Sequence, residues 1–391
     1  MTGCLRLGVI GLGRAFTLML PTLADHPGVC LVAASDPRRD ALDRFAQDFG
    51  ANVYATPEEL CADPAVQAIY VASPHAFHVD HVRMAAANRK HVLVEKPMAL
   101  TIADCEAMIA AADSAGIHLL VGHSHSFDLP YLRTRELVKS GVHGNVRMIN
   151  AMNFTDFLYR PRRPEELDTS AGGGVAFSQA AHQVDIVRLL AGERALTVRA
   201  HTGSWDPARP TEGAYSAQIT FEGGAFAALI YSGYGRFDTD EFNNWTGEFG
   251  QKRDPSIYGS ARALLRQATT VDEEIALKNK RAYGSAGSEA FRGAANLDHN
   301  HFGFVVVSCE HADLRPMPNG VMIYADNERH FVAMPPADVP RAEVIDELYA
   351  AAIHDRPPLH SGRWGLATLE ICLAILASAK QEKQIALAAQ I

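Results

Sequence analysis

Leu5-Arg6-Leu7-Gly8-Val9-Ile10-Gly11-Leu12-Gly13-Arg14-Ala15-Phe16 is the stretch from which the fold follows. Apolar and β-branched residues over Leu5 to Ile10 read as a buried strand. Gly11 and Gly13 make the turn, and Leu18, Leu20 and Leu23 continue as a helix. The first glycine permits a tight turn, and the second lets a pyrophosphate approach the helix N-terminus. The third position of a G-x-G-x-x-G fingerprint is Phe16, so the match is incomplete.

The following units extend the pattern. Val29 to Ala34 reads as a second strand and ends at Ser35-Asp36. Asp36 lies 23 residues after Gly13, near the spacing at which an acid binds the adenine ribose hydroxyls. It is equally placed to cap a helix before Pro37. Arg38 and Arg39 could accept a 2′-phosphate, but the Asp36 carboxylate would repel it; NAD is favoured, with NADP still possible. Thr56-Pro57-Glu58-Glu59 starts a helix, and Ala68 to Ala72 is a strand before Ser73-Pro74-His75-Ala76-Phe77-His78. His91-Val92-Leu93-Val94-Glu95-Lys96-Pro97 is a short buried strand stopped by proline. Read alone, Lys96 is either a solvated charge or a group at the sheet edge where open α/β folds bind ligands. With Ile117 to Val121, the alternation predicts a doubly wound, mostly parallel sheet.

Gly11-x-Gly13, Asp36, Ser73-Pro74-His75-x-x-His78 and Glu95-Lys96-Pro97, in this order, resemble the Gfo/Idh/MocA oxidoreductases. The resemblance implies an N-terminal Rossmann domain over 1–124 and a C-terminal α+β domain over 125–391 with a mainly antiparallel, open-faced sheet. It places the cofactor on Gly11, Gly13, Arg14, Ala15, Phe16, Asp36, Arg38, Ser73, Pro74, His75, His78, Glu95 and Lys96. It also puts Lys96 beside the nicotinamide, against the reacting oxygen. A homo-oligomer, dimer or tetramer, is implied in the same way.

In the second domain, Gly172-Gly173-Gly174 precedes a helix expected over about 175–190. The glycines would let it start close to another backbone or to the cofactor. Ser178, His182 and Asp185, at i, i+4 and i+7, share one helical face. By themselves they are either a surface His–Asp pair or part of a site. The family pattern D-x-G-x-H-x-x-D reads here Ser178-x-Ala180-x-His182-x-x-Asp185, so one aspartate is replaced. His182 stays the expected base; Ser178 and Asp185 are expected at the substrate. Leu158-Tyr159-Arg160-Pro161-Arg162-Arg163-Pro164 is a basic, proline-stiffened loop. Arg160, Arg162 and Arg163 are cationic forks for carboxylates, or a solvated loop. His125 is a further pocket candidate.

Later segments, Leu196 to Gly203, Ala214 to Phe221, Ala225 to Tyr231, Phe302 to Cys309, Val321 to Tyr324 and His330 to Ala333, read as an antiparallel sheet. Phe237 to Asn300 reads as an insertion with one helix near Ala261 to Gln267. The wording of the Gly122–Asp128 stretch, the arginine loop and Phe177–Asp185 is similar to a branch acting on carboxylated aromatic cis-dihydrodiols such as phthalate 4,5-dihydrodiol. A sugar or inositol dehydrogenase, an NAD-dependent glycosidase and a non-catalytic NAD-binding regulator stay open.

Composition bounds the rest. The chain has 391 residues, 48% hydrophobic and 21% charged, and a net charge of −9. Two domains are expected, with a small-molecule substrate and no nucleic-acid or anionic-membrane surface. No signal peptide is read at Met1–Ile10 and no apolar run near the ~20 residues of a membrane span, so the cytoplasm is the expected location. Six scattered cysteines favour free thiols in a reducing compartment. His299, His301, Cys309 and His311 are metal-ligand types, but an extended strand would put His301 and Cys309 roughly 26 Å apart, so no metal is expected.

Overall fold

The computed structural model describes residues 3–122, 124–285 and 297–391. In chain order the elements begin with β1 (Leu5–Ile10), α1 (Arg14–Asp25), β2 (Val29–Ser35), α2 (Arg39–Phe49), β3 (Asn52–Tyr54) and α3 (Pro57–Ala62). They continue with β4 (Ala68–Val71), α4 (His78–Ala87), β5 (His91–Val94), α5 (Ile102–Ala115) and β6 (Leu119–Val121). Then follow α6 (Leu129–Lys139), β7 (Val146–Phe154), α7 (Ala181–Ala191), β8 (Ala195–Gly203), β9 (Ala214–Phe221), β10 (Phe226–Ser232), α8 (Ser260–Leu265) and α9 (Val271–Asn279). The chain closes with β11 (Phe304–Cys309), β12 (Ala312–Met317), β13 (Gly320–Ala325), β14 (Arg329–Ala333), α10 (Ala342–His354), α11 (Gly362–Gln381) and β15 (Ile385–Ala386).

Two compact units emerge, and neither is a continuous segment. One holds 1–123, 276–294 and 339–369; the other holds 124–275, 295–338 and 370–391. This differs from a single division at 124/125. Residues 339–369 join the first unit because α10 buries Val344, Ile345 and Leu348 there. The Arg341 guanidinium donates to the Leu18 carbonyl at 2.5 Å, and the Thr22 hydroxyl to the Pro340 carbonyl at 2.5 Å. The expected insertion over 237–300 contributes to both units and, among its described residues, carries the α-helices α8 and α9 and a 3-10 turn at Thr239–Asn243. Its residues 286–296 lie outside the described residues, as do His123 and the start at Met1–Thr2.

The first unit is built on a six-stranded sheet in the order β3-β2-β1-β4-β5-β6. Every neighbouring pair is parallel. β4 and β5 are apolar nearly throughout and buried, as a sheet covered on both faces requires. The order reverses at β1, which makes the turns after β1 and β4 the ligand-binding crevice. The Thr56 helix start forms a capping box with Glu59, worth about 1 kcal/mol.

Cys4 and Cys30 form a disulfide, correcting the expectation that all six cysteines are free thiols. The register pairs Leu5 with Val29 and Arg6 with Cys30, which brings the two Cα atoms to 5.8 Å. A separation of 26 residues in sequence hides that adjacency. Among the described residues Cys61, Cys105, Cys309 and Cys372 are in no disulfide.

The second unit contains a nine-stranded sheet, β14-β13-β12-β11-β7-β10-β9-β8-β15. All pairs are antiparallel except β7 with β10. β12 was not anticipated, because Pro316 lies in it. Its pairing with β11 is confined to Val307–Leu314 and Ser308–Asp313, so Pro316 lies past that ladder, where a missing N–H is tolerated. Helix α11 closes the second half of the chain. By length and composition it could cross a membrane, yet 67% of its apolar window is buried inside the fold.

Candidate active site

In the first unit, the turn after β1 presses on the turn after β4. Gly11 has φ +95°, and a Cβ there would lie 2.8 Å from the Ala72 carbonyl oxygen, so only glycine fits. Gly13 precedes the 12-residue helix α1, and a Cβ on it would meet nothing within 4 Å. Open space at a helix N-terminus fits a pyrophosphate. Arg14 and Ala15 are half-buried at the same turn. Asp36 is buried after β2 and accepts from the Leu12 N–H at 2.7 Å. These residues fit a dinucleotide. The Phe16 side chain packs inward. Its ring is fully buried against Phe45 and Tyr283 at 5.9 and 5.2 Å.

His78 and Glu95 are buried in hydrogen bonds within the first unit. His78 is fully buried, with Nε2 2.9 Å from the Ser73 carbonyl and Nδ1 3.2 Å from those of Pro97 and Met98. It ties the turn after β4 to the turn after β5, and burial lowers its pKa. Glu95 is buried and accepts from the Tyr70 hydroxyl; burial raises its pKa. The pair anchors the end of β5, immediately before half-buried Lys96. Pro74 is exposed and His75 half-buried at the crevice turn, while the Ser73 hydroxyl lies 2.9 Å from His81 Nδ1.

In the second unit, the expected continuous helix over 175–190 is a π-helical turn at Ala176–Ala180 followed by α7. The wider turn breaks the i, i+4 arithmetic between Ser178 and His182. Gly174, at φ +79°, lets Glu212 pack so closely that a Cβ would lie 2.1 Å from its carboxylate. Glu212 accepts from the Ala176 N–H at 3.0 Å, so a carboxylate of the chain, not a cofactor, occupies this helix start. The Ser178 hydroxyl donates back to the Gly174 carbonyl. Every residue of α7 is buried, which removes the reading of a surface His–Asp pair. Asp185 accepts from the Ser126 hydroxyl at 3.1 Å and lies 3.9 Å from Arg188.

His182 packs against two rings: His125 edge-on at 4.7 Å and Phe302 at 4.9 Å. His125 is itself held at both nitrogens. Nδ1 is 2.6 Å from the Asp128 carboxylate and Nε2 3.3 Å from Glu248. Burial works against a charge on His125, but Asp128 and then Glu248 outweigh it, and its pKa is raised. A raised histidine contributes stability that is full below its unfolded pKa, ~6.5, and is lost as pH climbs through the folded value. Asp128→Asn is therefore expected to cost roughly 3 kcal/mol below pH ~6.5 and progressively less above it. Urea unfolding at pH 6 and pH 9 measures this; equal losses at both would refute it.

The arginine loop is divided in role. Arg162 stacks 3.6 Å over the Phe157 ring, donates to the Phe157 carbonyl at 2.8 Å and lies 3.5 Å from Glu166. Burial pushes its pKa down to about 10. Its backbone N–H donates to Glu274 of α9 at 2.7 Å. Arg162 thus fastens the loop. Arg160 is one-third exposed, 3.3 Å from Asp156 and 4.0 Å from Glu248; Arg163 is half-buried. Arg262 of α8 lies 3.9 Å over the Tyr159 ring. The insertion therefore braces this loop through Glu248, Arg262 and Glu274. Nothing in the local pattern marks Glu248, whereas Asp128 stands three residues from His125 and was open to notice.

His299 and His301 serve in hydrogen bonds, with His299 Nε2 2.7 Å from the Pro335 carbonyl and His301 Nε2 2.8 Å from that of Thr246.

Residues 5–123 match the family model described as an oxidoreductase family with an NAD-binding Rossmann fold, and residues 131–248 match its C-terminal domain. The chain is 47% identical, over 97% of its length and 96% of the relative, to a Comamonas testosteroni 1-carboxy-3-chloro-3,4-dihydroxycyclo hexa-1,5-diene dehydrogenase. It is 32% identical to a Thermotoga maritima myo-inositol 2-dehydrogenase over 48% of the chain and 55% of that protein. A solved Bordetella bronchiseptica RB50 protein described as a dehydrogenase superposes with a TM-score of 0.91 at 42% identity, covering 98% of this chain and all of that one.

Proposed function

The chain belongs to the Gfo/Idh/MocA family of NAD-binding oxidoreductases, and from that premise we propose that it dehydrogenates a carboxylated aromatic cis-dihydrodiol, phthalate 4,5-dihydrodiol being one candidate. It is an NAD-dependent dehydrogenase taking hydride from a secondary carbinol. The observation that carries the substrate class is the full-length relative whose named substrate joins a ring carboxyl to a vicinal diol. The arginine loop supplies matching chemistry.

Gly11, Gly13, Arg14, Ala15, Asp36 and the Ser73–Pro74–His75 turn hold the cofactor in this reading. NAD, when bound, supplies the hydride acceptor. Lys96 stabilises the negative charge that develops on the reacting oxygen. His182 takes the hydroxyl proton; the carbinol carbon, having lost its hydride, becomes a ketone. That ketone tautomerises to a catechol without further oxidant. Asp128 and His125 position His182. Arg160 and Arg163 meet the substrate carboxylates, while Arg162 holds their loop. Arg160→Ala is expected to raise KM for the carboxylated diol about tenfold with a smaller change in kcat. An unchanged KM would remove Arg160 from the substrate.

A substrate panel followed by formation of reduced nicotinamide, with NAD and with NADP, tests the whole reading. Turnover of carboxylated dihydrodiols to catechols is the expected result. Turnover of inositols or sugars alone would transfer the site to a polyol, the reading favoured by the myo-inositol relative.

A homo-oligomer, dimer or tetramer, is supported by apolar residues on the outward side of the nine-stranded sheet, including Leu196, Phe226, Ile230 and Phe331. Light scattering showing a monomer at micromolar concentration would refute it. Reliance on NAD supports a cytoplasmic location; the Cys4–Cys30 disulfide argues the other way. Thiol titration after rapid acid quenching of cells decides, six thiols supporting the cytoplasm.

A further inference from the structure

The segment carrying Tyr283 comes from the insertion, yet residues 276–294 group with the first unit. Its described part ends at Ser285. Tyr283 is only 3% exposed. Its ring meets Phe16 edge-on at 5.2 Å and Phe45 at 6.3 Å, and its hydroxyl donates to Asp48 at 2.7 Å. Phe16 stands where the fingerprint has its third small residue. The tyrosine thus completes an aromatic cluster at the end of the sheet where Asp36 and Arg38 lie.

Its main chain does more. Arg38 Nη1 donates to the Tyr283 carbonyl at 3.1 Å. Nη2 donates to the Leu12 carbonyl at 2.8 Å, and Nε to Asp36 Oδ1 at 3.0 Å. The Arg38 N–H also donates to Asp36 Oδ1, at 2.8 Å. All three guanidinium nitrogens are therefore engaged, and the planar fork is fixed across the acid that faces the adenine ribose. A 2′-phosphate needs a bidentate arginine. An arginine held in this way cannot turn such a fork outward, and Asp36 repels the phosphate.

We propose that Tyr283 is a specificity-determining positioning residue: by anchoring Arg38 against Asp36 it makes the ribose site accept a free 2′-hydroxyl and reject a 2′-phosphate. Sequence spacing alone leaves Arg38 as a candidate phosphate ligand; the Tyr283 carbonyl completes the set, with Leu12 and Asp36, that withdraws it. The proposal rests on the assignment of Asp36 to the ribose, and it is independent of which diol is oxidised.

The test is equilibrium binding of NADH and NADPH, followed by nicotinamide fluorescence, which needs no substrate. In the unaltered protein NADH is expected to bind at least tenfold more tightly than NADPH; equal affinities would overturn the Asp36 assignment itself. Tyr283→Ala frees the segment and Arg38, and is expected to reduce the preference at least fivefold, chiefly by tightening NADPH. A parallel weakening of both cofactors, or an unchanged ratio, would overturn the role given to Tyr283. Tyr283→Phe keeps the buried ring and loses only the Asp48 hydrogen bond. If the alanine variant does not fold, this variant carries the test: a shift of about twofold in the same direction supports the proposal, and none overturns it.

Discussion

Lys96→Ala is expected to cut kcat about a thousandfold, or ~4 kcal/mol of transition-state stabilisation, while binding of NADH changes little. The ammonium is proposed to meet charge that appears on oxygen only as hydride leaves, so its loss falls on kcat rather than on KM. The supporting geometry is local to the first unit. β5 is largely buried and is followed by Glu95, whose carboxylate accepts from the Tyr70 hydroxyl. Lys96 follows, half-buried, at the carboxyl end of a parallel strand. Lys96→Arg keeps the charge but replaces a compact ammonium by a planar fork, and is expected to recover less than a tenth of the activity. Full turnover by Lys96→Ala would end the assignment.

The second large effect is expected at His182. His182→Ala should lower kcat by about two to four orders of magnitude and flatten the acid limb of the kcat/KM profile. The ring lies in a fully buried helix, packed against His125 and Phe302, so its orientation is set by the fold and not by solvent. Removing it also leaves a cavity, and a merely structural role would lower activity equally at all pH values. The pH profile separates the two. His125→Asn gives a complementary measurement: a positioning role predicts a displaced acid limb with residual activity well above that of His182→Ala.

The missing family aspartate at Ser178 takes on a different aspect beside these rings. Ser178 donates to the Gly174 carbonyl, so its hydroxyl serves the π-helical turn. The carboxylates around the histidines come instead from Asp128, 54 positions before His182, and from Glu248, 66 positions after it. Each reaches His125 rather than His182 among the hydrogen bonds described.

The sequence by itself determined the doubly wound N-terminal sheet, most of the second sheet's strands and the family, and it named Gly11, Gly13, Asp36, Lys96 and His182 as candidates for the site. These are local signals. Strand alternation, a turn that only glycine can make and a proline that ends a strand are decided by residues within a few positions of one another. Tertiary structure decided everything that depends on which distant residues meet. It joined Cys4 to Cys30 across β1 and β2, buried Phe16 in an aromatic cluster and His78 between two turns, and engaged Arg162 and Asp185 in ion pairs. It also brought Tyr283 to Arg38 over 245 positions and Glu248 to His125 over 123. A side chain's type announces what it can bind; which of its donors and acceptors are already engaged is fixed only when the chain has folded, because buried polar groups must find partners wherever the fold supplies them.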